Sequence, residues 1–549
     1  MVSQSTPSCL NRKVFRMHAL SSFDLIIIAV YFVAVMAIGS YFRKRARSST
    51  QYFLAGRNVG WIAIGASLFA TNISSEHFLG LAGTGSKSGL AVGQFEWLAI
   101  LILLLLGWVF TPFYLRSGVF TMPEFLERRF GPASRYYLSL VSIVAYVLTK
   151  VSISLYAGGI LLSEVAGLDM YTSAVIIVLA TGVYTILGGL AAVIYTDLVQ
   201  MFILITGSTA LTLIGLQQAG GWDAVVAQTP PEFWSMFRPM SDPDFPWTGI
   251  VLGAPIMGIW YWCTDQYIVQ RVLSARNLDH ARTGTIFAGF LKILPVFILV
   301  LPGVITYALT DGEVTGDRAY AWMVTTLLPS GLRGLVVAGL LAALMSSLSA
   351  MFNSTSTLVT IDIFKRLRPN ASDASVVRFG MMATGGMVLL GLLWIPFIGK
   401  MSDERMFVYL QSVSGYIAPP ISACFLFGIL WKRANKYGAM SALLTGLVLG
   451  SARFVLEIRH KTVPLENEFL RFVATVNFLH YAAFLFAVSS LVLVIVSLST
   501  PPPSRAQLVN LTVGEVDGSV PLKTRWNGVN AVASVILVMA LLFLWWTFR

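Results

Sequence analysis

The chain has 549 residues, of which 56% are hydrophobic and only 12% charged, and its mean hydropathy is +0.75. A soluble surface needs about 25–35% charged residues, so this chain is not a cytosolic protein, and it is too apolar to be disordered. The net charge of +12 comes from basic residues scattered through short loops without interleaved aromatics, which argues against nucleic-acid binding and fits membrane topology.

Runs of about 18 or more apolar residues mark helices that cross a bilayer. About fourteen spans are predicted, at 22–42, 60–85, 92–114, 136–165, 170–187, 190–217, 248–270, 284–309, 334–363, 376–398, 405–430, 437–456, 477–499 and 528–547. The first twenty residues carry Arg12, Lys13 and Arg16 but no apolar core followed by a cleavage site, so no cleaved signal peptide is expected. Residues 218–247 form a linker rich in Pro, Gly and aromatics. A polar linker at 500–527 opens Thr500-Pro501-Pro502-Pro503 and sets the last helix apart. Lys and Arg concentrate in loops such as Arg43–Arg47, Arg128–Arg135, Arg271–Arg282, Lys365–Arg378 and Lys432–Lys436, while Asp223, Glu232, Asp242, Asp311 and Asp317 fall in the alternate loops. The loop at 457–476 departs from this bias, with Arg459, Lys461 and Arg471. The positive-inside rule then puts both termini outside. Cys9, Cys263 and Cys424 show no metal-ligand spacing and allow at most one disulfide.

Two spans share a defect. Span 60–85 is interrupted by Ala70-Thr71-Asn72-Ile73-Ser74-Ser75-Glu76-His77, and span 248–270 by Gly258 and Trp260-Tyr261-Trp262-Cys263-Thr264-Asp265-Gln266. They lie five spans apart, the pattern of two inverted five-helix halves. Breaking a helix frees amides and carbonyls that lipid cannot satisfy, so the breaks belong at a cavity that takes an ion or polar solute. The implied organisation is an N-terminal segment at 1–21, an extra helix at 22–42, halves at 60–217 and 248–430, two further helices within 437–499, the linker 500–527 and a last helix within 528–549.

Glu96, Lys292, Asp197 and Gln411 also lie within spans. A charge at the bilayer centre costs roughly 2.5–3.5 kcal/mol on insertion scales, so such groups face a cavity or a partner. Glu96 and Lys292 fit either a structural pair or a cluster that reads hydroxyls, since carboxylates accept and ammoniums donate. Lys150 is read as a structural pair or a snorkelling side chain. Small residues in Ala342-Ala343-Leu344-Met345-Ser346-Ser347-Leu348-Ser349 allow close helix packing, and their hydroxyls equally suit a hard cation. Phe95, Trp260, Tyr261, Trp262 and Phe407 are core, interface or sugar-platform aromatics. His77 follows the first break, and the other histidines lie near span ends.

The stretches Asn72–Gly85, Leu187–Asp197, Trp260–Gln266 continuing to Val269-Gln270-Arg271, and Leu344–Ser347 together resemble the sodium/solute symporter family, in particular its sodium/glucose cotransporter branch of bacterial type. The resemblance covers roughly residues 21–500. It implies an all-α membrane protein with a LeuT-like core of two inverted five-helix repeats, each with a broken first helix, plus flanking helices. It implies sodium as the coupling ion, a glucose- or galactose-like monosaccharide as solute, and a plasma (inner) membrane location with alternating access. By the same resemblance, Asn72, His77, Glu96, Lys292 and Gln411 bind sugar hydroxyls, with Trp262 beside them. Tyr261 is the inner gate, while Leu81, Phe95 and Phe407 form the outer one. Carbonyls of Ala70, Ile73 and Ala343 with hydroxyls of Ser346 and Ser347 hold sodium, and Asp197 takes part in coupling. Some positions depart from the family. Gly258 stands where relatives carry a polar side chain, Ser154 where animal glucose cotransporters carry an acid, and Ala343 lacks a hydroxyl that some relatives use for a second sodium. A same-fold symporter for inositol or another polyol, and a sugar-gated sodium sensor, are the alternatives. No HExxH or GxSxG motif points to an enzyme.

Overall fold

The computed structural model describes residues 20–43, 48–151, 154–156, 158–159, 163, 167, 169–398, 406–517 and 524–549. All regular structure among the described residues is helical, with two isolated bridges, Val59–Ala275 and Arg238–Pro246, tying loops together. Ten helices among them are long and apolar enough to cross a membrane. The difference from the fourteen predicted segments has a physical basis. Breaking 248–270 leaves pieces shorter than a span. Glu76–Ser117 and Tyr171–Ala219 each hold all or some of two predicted segments, which part at the positive-φ glycines Gly89 and Gly189. Segment 136–165 lies partly outside the described residues. Within Met170–Ala219 the helix is interrupted at Gly189, whose φ of +58° and ψ of −156° are not helical. A side chain there would meet the Tyr52 carbonyl at 2.6 Å.

Burial sorts the helices into centre and rim. In the most apolar window of Leu332–Leu367, 94% of residues are buried, against 17% in Ser22–Phe42 and in Asn527–Thr547. The first and last helices therefore present most of their surface outward, where lipid would cover it. The first is fixed by a polar anchor. Asp24 Oδ1 accepts from the amides of Gly331 (2.7 Å) and Gly334 (2.8 Å), satisfying donors that the first turn of Leu332–Thr357 leaves without helical partners.

At one end of the central helix an ionic cluster joins it to Met122–Phe130 and Pro132–Ala145. Buried Asp362 accepts from Arg135 Nε (2.8 Å) and Nη2 (2.6 Å), Thr121 Oγ1 (2.8 Å) and Ser139 Oγ (3.1 Å). Glu127 accepts from Arg135 Nη1 at 2.5 Å and from Arg366. Burial works against the charged Glu127, but the two guanidiniums outweigh it and hold its carboxyl below the usual carboxylate range.

Behind the first break, Ser75–Ser88 packs on Leu301–Thr310 at backbone contact. A Cβ on Gly303 would stand 1.8 Å from the Ala82 carbonyl oxygen, a distance no side-chain shift relieves. Overpacking costs about 1–3 kcal/mol when side chains can yield. Gly303→Ala is therefore expected to lower the thermal unfolding midpoint and the yield of monodisperse protein in detergent. Wild-type values for both would show that the two helices separate freely.

Candidate functional site

The first break is built by sequence that stops a helix and restarts it. Trp61–Asn72 ends where Ile73 turns extended (φ −77°, ψ 105°), and Ser74 (φ −117°, ψ −178°) starts Ser75–Ser88. The Ser74 amide donates to His77 Nδ1 at 3.3 Å. With Nδ1 accepting, the neutral ring carries its proton on Nε2, and Nε2 faces Glu96 Oε1 at 3.7 Å.

The second break is a π-helical turn, Ile259–Thr264, followed by extended Asp265 (φ −76°, ψ 125°), which caps Gln266–Leu273 by accepting from the Tyr267 amide at 3.2 Å. Single π-turns inside helices recur at functional sites because they re-aim side chains. This one carries Trp260, Tyr261 and Trp262. The two breaks are stitched to each other: Tyr267 donates its hydroxyl to the Thr71 carbonyl, and Asn72 Nδ2 donates to the Tyr261 hydroxyl at 3.1 Å.

Between them lies a cavity. His77, Phe95, Glu96, Tyr261, Trp262, Lys292 and Gln411, all singled out from sequence, line it. Lys292 donates to both Glu96 Oε2 and Asn72 Oδ1, so Asn72 ties the ammonium to the Tyr261 hydroxyl. Lys292 Nζ also lies 5.4 Å from the Trp262 ring centroid. The Glu96–Lys292 pair exists, and it also faces the cavity. Leu81 is buried in the core and is not among the cavity-lining residues. The Phe407 side chain lies outside the described residues.

Trp260, one of the candidate aromatics, also lines the cavity, while sequence inspection did not place Glu76, Met257, Ser414 and, above all, Lys150 there. Lys150 forms the ion pair expected of it, with Asp265 Oδ2 at 3.7 Å, and it lines the cavity as well. No spacing along the chain links residue 150 to residues 261–267; only the tertiary fold brings them together. Glu76 was within reach, being next to His77 in the broken segment.

A second polar cluster lies among the first break, Met170–Ala219 and the central helix. Asp197 is fully buried. Its Oδ1 accepts from Ser346 Oγ at 2.5 Å, and its Oδ2 from Ser67 Oγ at 2.5 Å and Thr71 Oγ1 at 3.1 Å. Arg271 completes it, with Nη2 3.8 Å from Asp197 and Nε donating to Ser67 and Thr71. Ser347 Oγ donates to the Thr71 carbonyl at 3.4 Å. Ala70, Ile73 and Ala343 are buried in the same core. Arg271, the counter-charge of Asp197, drew no individual notice in the sequence.

A helical membrane protein with two broken helices meeting at a polar cavity is built as a solute carrier. The sodium:solute symporter family model matches residues 52–446. The chain is 40% identical over 541 residues to the sodium/myo-inositol cotransporter of Homo sapiens, spanning 90% of this chain and 75% of that protein. It is 39% identical over 532 residues to sodium/glucose cotransporter 1 of Oryctolagus cuniculus, spanning 89% and 80%. Among solved structures, the substrate-bound, outward-open state of a Na+-coupled sialic acid symporter shares the fold with a TM-score of 0.77 at 24% identity, covering 89% of this chain and 100% of that one. Mhp1, a nucleobase-cation-symport-1 family transporter in a closed conformation, aligns with a TM-score of 0.55 at 15% identity over 84% and 97%. The chain belongs to the sodium:solute symporter family. It is a sodium-coupled membrane transporter and not an enzyme.

Proposed function

We propose that this protein imports a neutral monosaccharide of the glucose or galactose type together with sodium, by alternating access across the plasma membrane, with both termini outside. In this account about fourteen spans comprise two inverted five-helix repeats, 60–217 and 248–430, flanked by the helices at 22–42, 437–499 and 528–549. The observation that carries it is the convergence of both helix breaks on one cavity lined by two carboxylates, two ammoniums and aromatics set edge to face. Carboxylates accept from vicinal hydroxyls, ammoniums and amides donate to them, and balanced charge favours a neutral solute.

Asn72, His77, Glu96, Lys292 and Gln411 hold the hydroxyls beside Trp262. Tyr261 closes the inner side under the ring; Leu81, Phe95 and Phe407 close the outer side. Sodium sits at the first break among the carbonyls of Ala70, Ile73 and Ala343 and the hydroxyls of Ser346 and Ser347. The donor chemistry fits: all five are oxygens, as a hard cation requires, and Ser346, whose hydroxyl donates its hydrogen bond to Asp197, keeps lone pairs for the ion. Sodium bound there orders Asn72–His77 in the outward-open state. Sugar then binds, the outer gate closes, the repeats rock, and Tyr261 moves aside. The energy is adequate, since one charge moved through 100 mV supplies about 2.3 kcal/mol, roughly a fifty-fold gradient.

The relatives named for glucose and for myo-inositol share nearly equal identity with this chain, so the deciding experiment compares solutes. Purified protein in proteoliposomes, given an inward sodium gradient with potassium as control, is expected to accumulate labelled glucose or galactose above equilibrium. Sodium-dependent accumulation of myo-inositol alone would replace the solute and keep the mechanism. Currents without accumulation of any solute would indicate a sodium sensor, and sodium-independent behaviour would refute the proposal.

A further inference from the structure

Two charged groups that line the cavity, Lys150 and Glu76, have so far been given no contact with the solute. Lys150 is 9% exposed, lines the cavity, and its Nζ makes no hydrogen bond. Its counter-charge, Asp265 Oδ2, stands 3.7 Å away and is likewise without a hydrogen bond. What holds the ammonium is non-directional: the ring centroids of Tyr267 and Tyr261 lie 4.2 and 4.3 Å from Nζ. Cation–π attraction compensates the charge but leaves the N–H donors unused, and a buried donor requires an acceptor. Glu76, also lining the cavity, accepts from Ser154 Oγ at 3.4 Å, a long hydrogen bond that leaves acceptor capacity on the carboxylate.

Glu96 and Lys292 satisfy each other and Asn72. Lys150 and Glu76 present the same chemistry, an ammonium donor and a carboxylate acceptor, in an unsaturated form. We propose that Lys150 and Glu76 are a second hydroxyl-reading pair, contacting the bound polyol at hydroxyls distinct from those held by Glu96 and Lys292, and so determining which epimers are accepted. This rests on the cavity being the solute site. Because Lys150 packs on the ring of Tyr261, a hydroxyl bound there also ties the solute to the aromatic that has to move for release.

The test pairs side-chain deletion with hydroxyl deletion. Sodium-dependent uptake of glucose, galactose, myo-inositol and each monodeoxyglucose is measured for wild type, Lys150→Met and Glu76→Gln. Lys150→Met is expected to weaken the preferred sugar tenfold or more, yet to cause less than a twofold loss for the one deoxy-sugar that lacks its partner hydroxyl. Glu76→Gln, which preserves shape, is expected to behave likewise at a different hydroxyl, and carries the test by itself if Lys150→Met fails to insert. Equal losses for every deoxy-sugar would overturn the proposal and leave both residues structural. Wild-type protein with no sodium-dependent uptake of any sugar or polyol would instead overturn the assignment of the cavity, and this proposal with it.

Discussion

Glu96→Ala is expected to abolish measurable sugar uptake at physiological solute levels. The carboxylate is buried, bonded to Lys292, and within 3.7 Å of His77 Nε2. Its removal deletes an acceptor and also leaves the Lys292 ammonium facing the cavity without its counter-charge. Truncating one member of a buried, hydrogen-bonded charge pair costs about 2–5 kcal/mol in binding, or roughly 30- to 5,000-fold in affinity. Gln411→Ala removes a neutral partner and should cost about 1 kcal/mol, roughly five-fold. The order of the two losses is itself a test, because a purely structural Glu96–Lys292 pair would lower the amount of folded protein without separating the two variants in affinity. Sodium binding should survive in both. Normal sugar affinity in both would remove the solute from this cavity.

The second large effect is expected at Asp197. Four groups converge on its carboxylate, from Ser67, Thr71, Ser346 and Arg271, and Ser346 is a proposed sodium ligand. Asp197→Ala leaves the fully buried Arg271 unpaired, a cost of about 3–5 kcal/mol, and frees the Ser346 proton from its acceptor. Asp197→Asn is the gentler variant: it keeps volume and one carbonyl oxygen but loses the charge. The expected result for Asp197→Asn is a rise of at least about tenfold in the sodium concentration that half-activates uptake, the weakening that about 1.4 kcal/mol produces. Ser347→Ala, which removes one proposed ligand and a long bond to Thr71, should shift the same midpoint less. An unchanged midpoint and an unchanged sodium-to-sugar ratio in Asp197→Asn would make the cluster a structural clamp between helices.

How much of this was legible in the chain differs from residue to residue. The break at Ile73–Ser74 shows in sequence because Thr, Asn, Ser and Glu interrupt an apolar run, and the physics of an unsatisfied backbone in lipid makes that a site. Glu96, Lys292 and Gln411 show because polar side chains are expensive in a span. Lys150 met the same criterion, and the ion pair expected of it is present, but its place on the cavity wall was not legible. Its setting consists of Asp265, Tyr261 and Tyr267, more than a hundred positions away, and nothing in a local window signals that a lysine will lie on two aromatic rings at a cavity wall. Arg271 sits at the end of a short helix, where a basic residue is ordinary, so its pairing with Asp197 emerges only from the packing of Gln266–Leu273 against Trp61–Asn72. The boundary at Gly189 was legible. The apolar pattern places a boundary near 187–190, and the two helices part there, at a kink centred on Gly189 whose φ of +58° is not helical; what the pattern does not show is that a single residue makes the break.

The account's central claim is that an ion at the first break and a solute in the adjoining cavity share the Asn72–His77 segment, so that binding of one favours the other. Coupling of this kind is reciprocal by thermodynamic necessity. Equilibrium binding of the transported sugar is therefore to be measured on purified protein at low and saturating sodium, and sodium binding with and without sugar. The account predicts that sodium tightens sugar binding at least five-fold, that sugar tightens sodium binding by the same factor, and that Asp197→Asn reduces both factors together. Sugar affinity independent of sodium would contradict it.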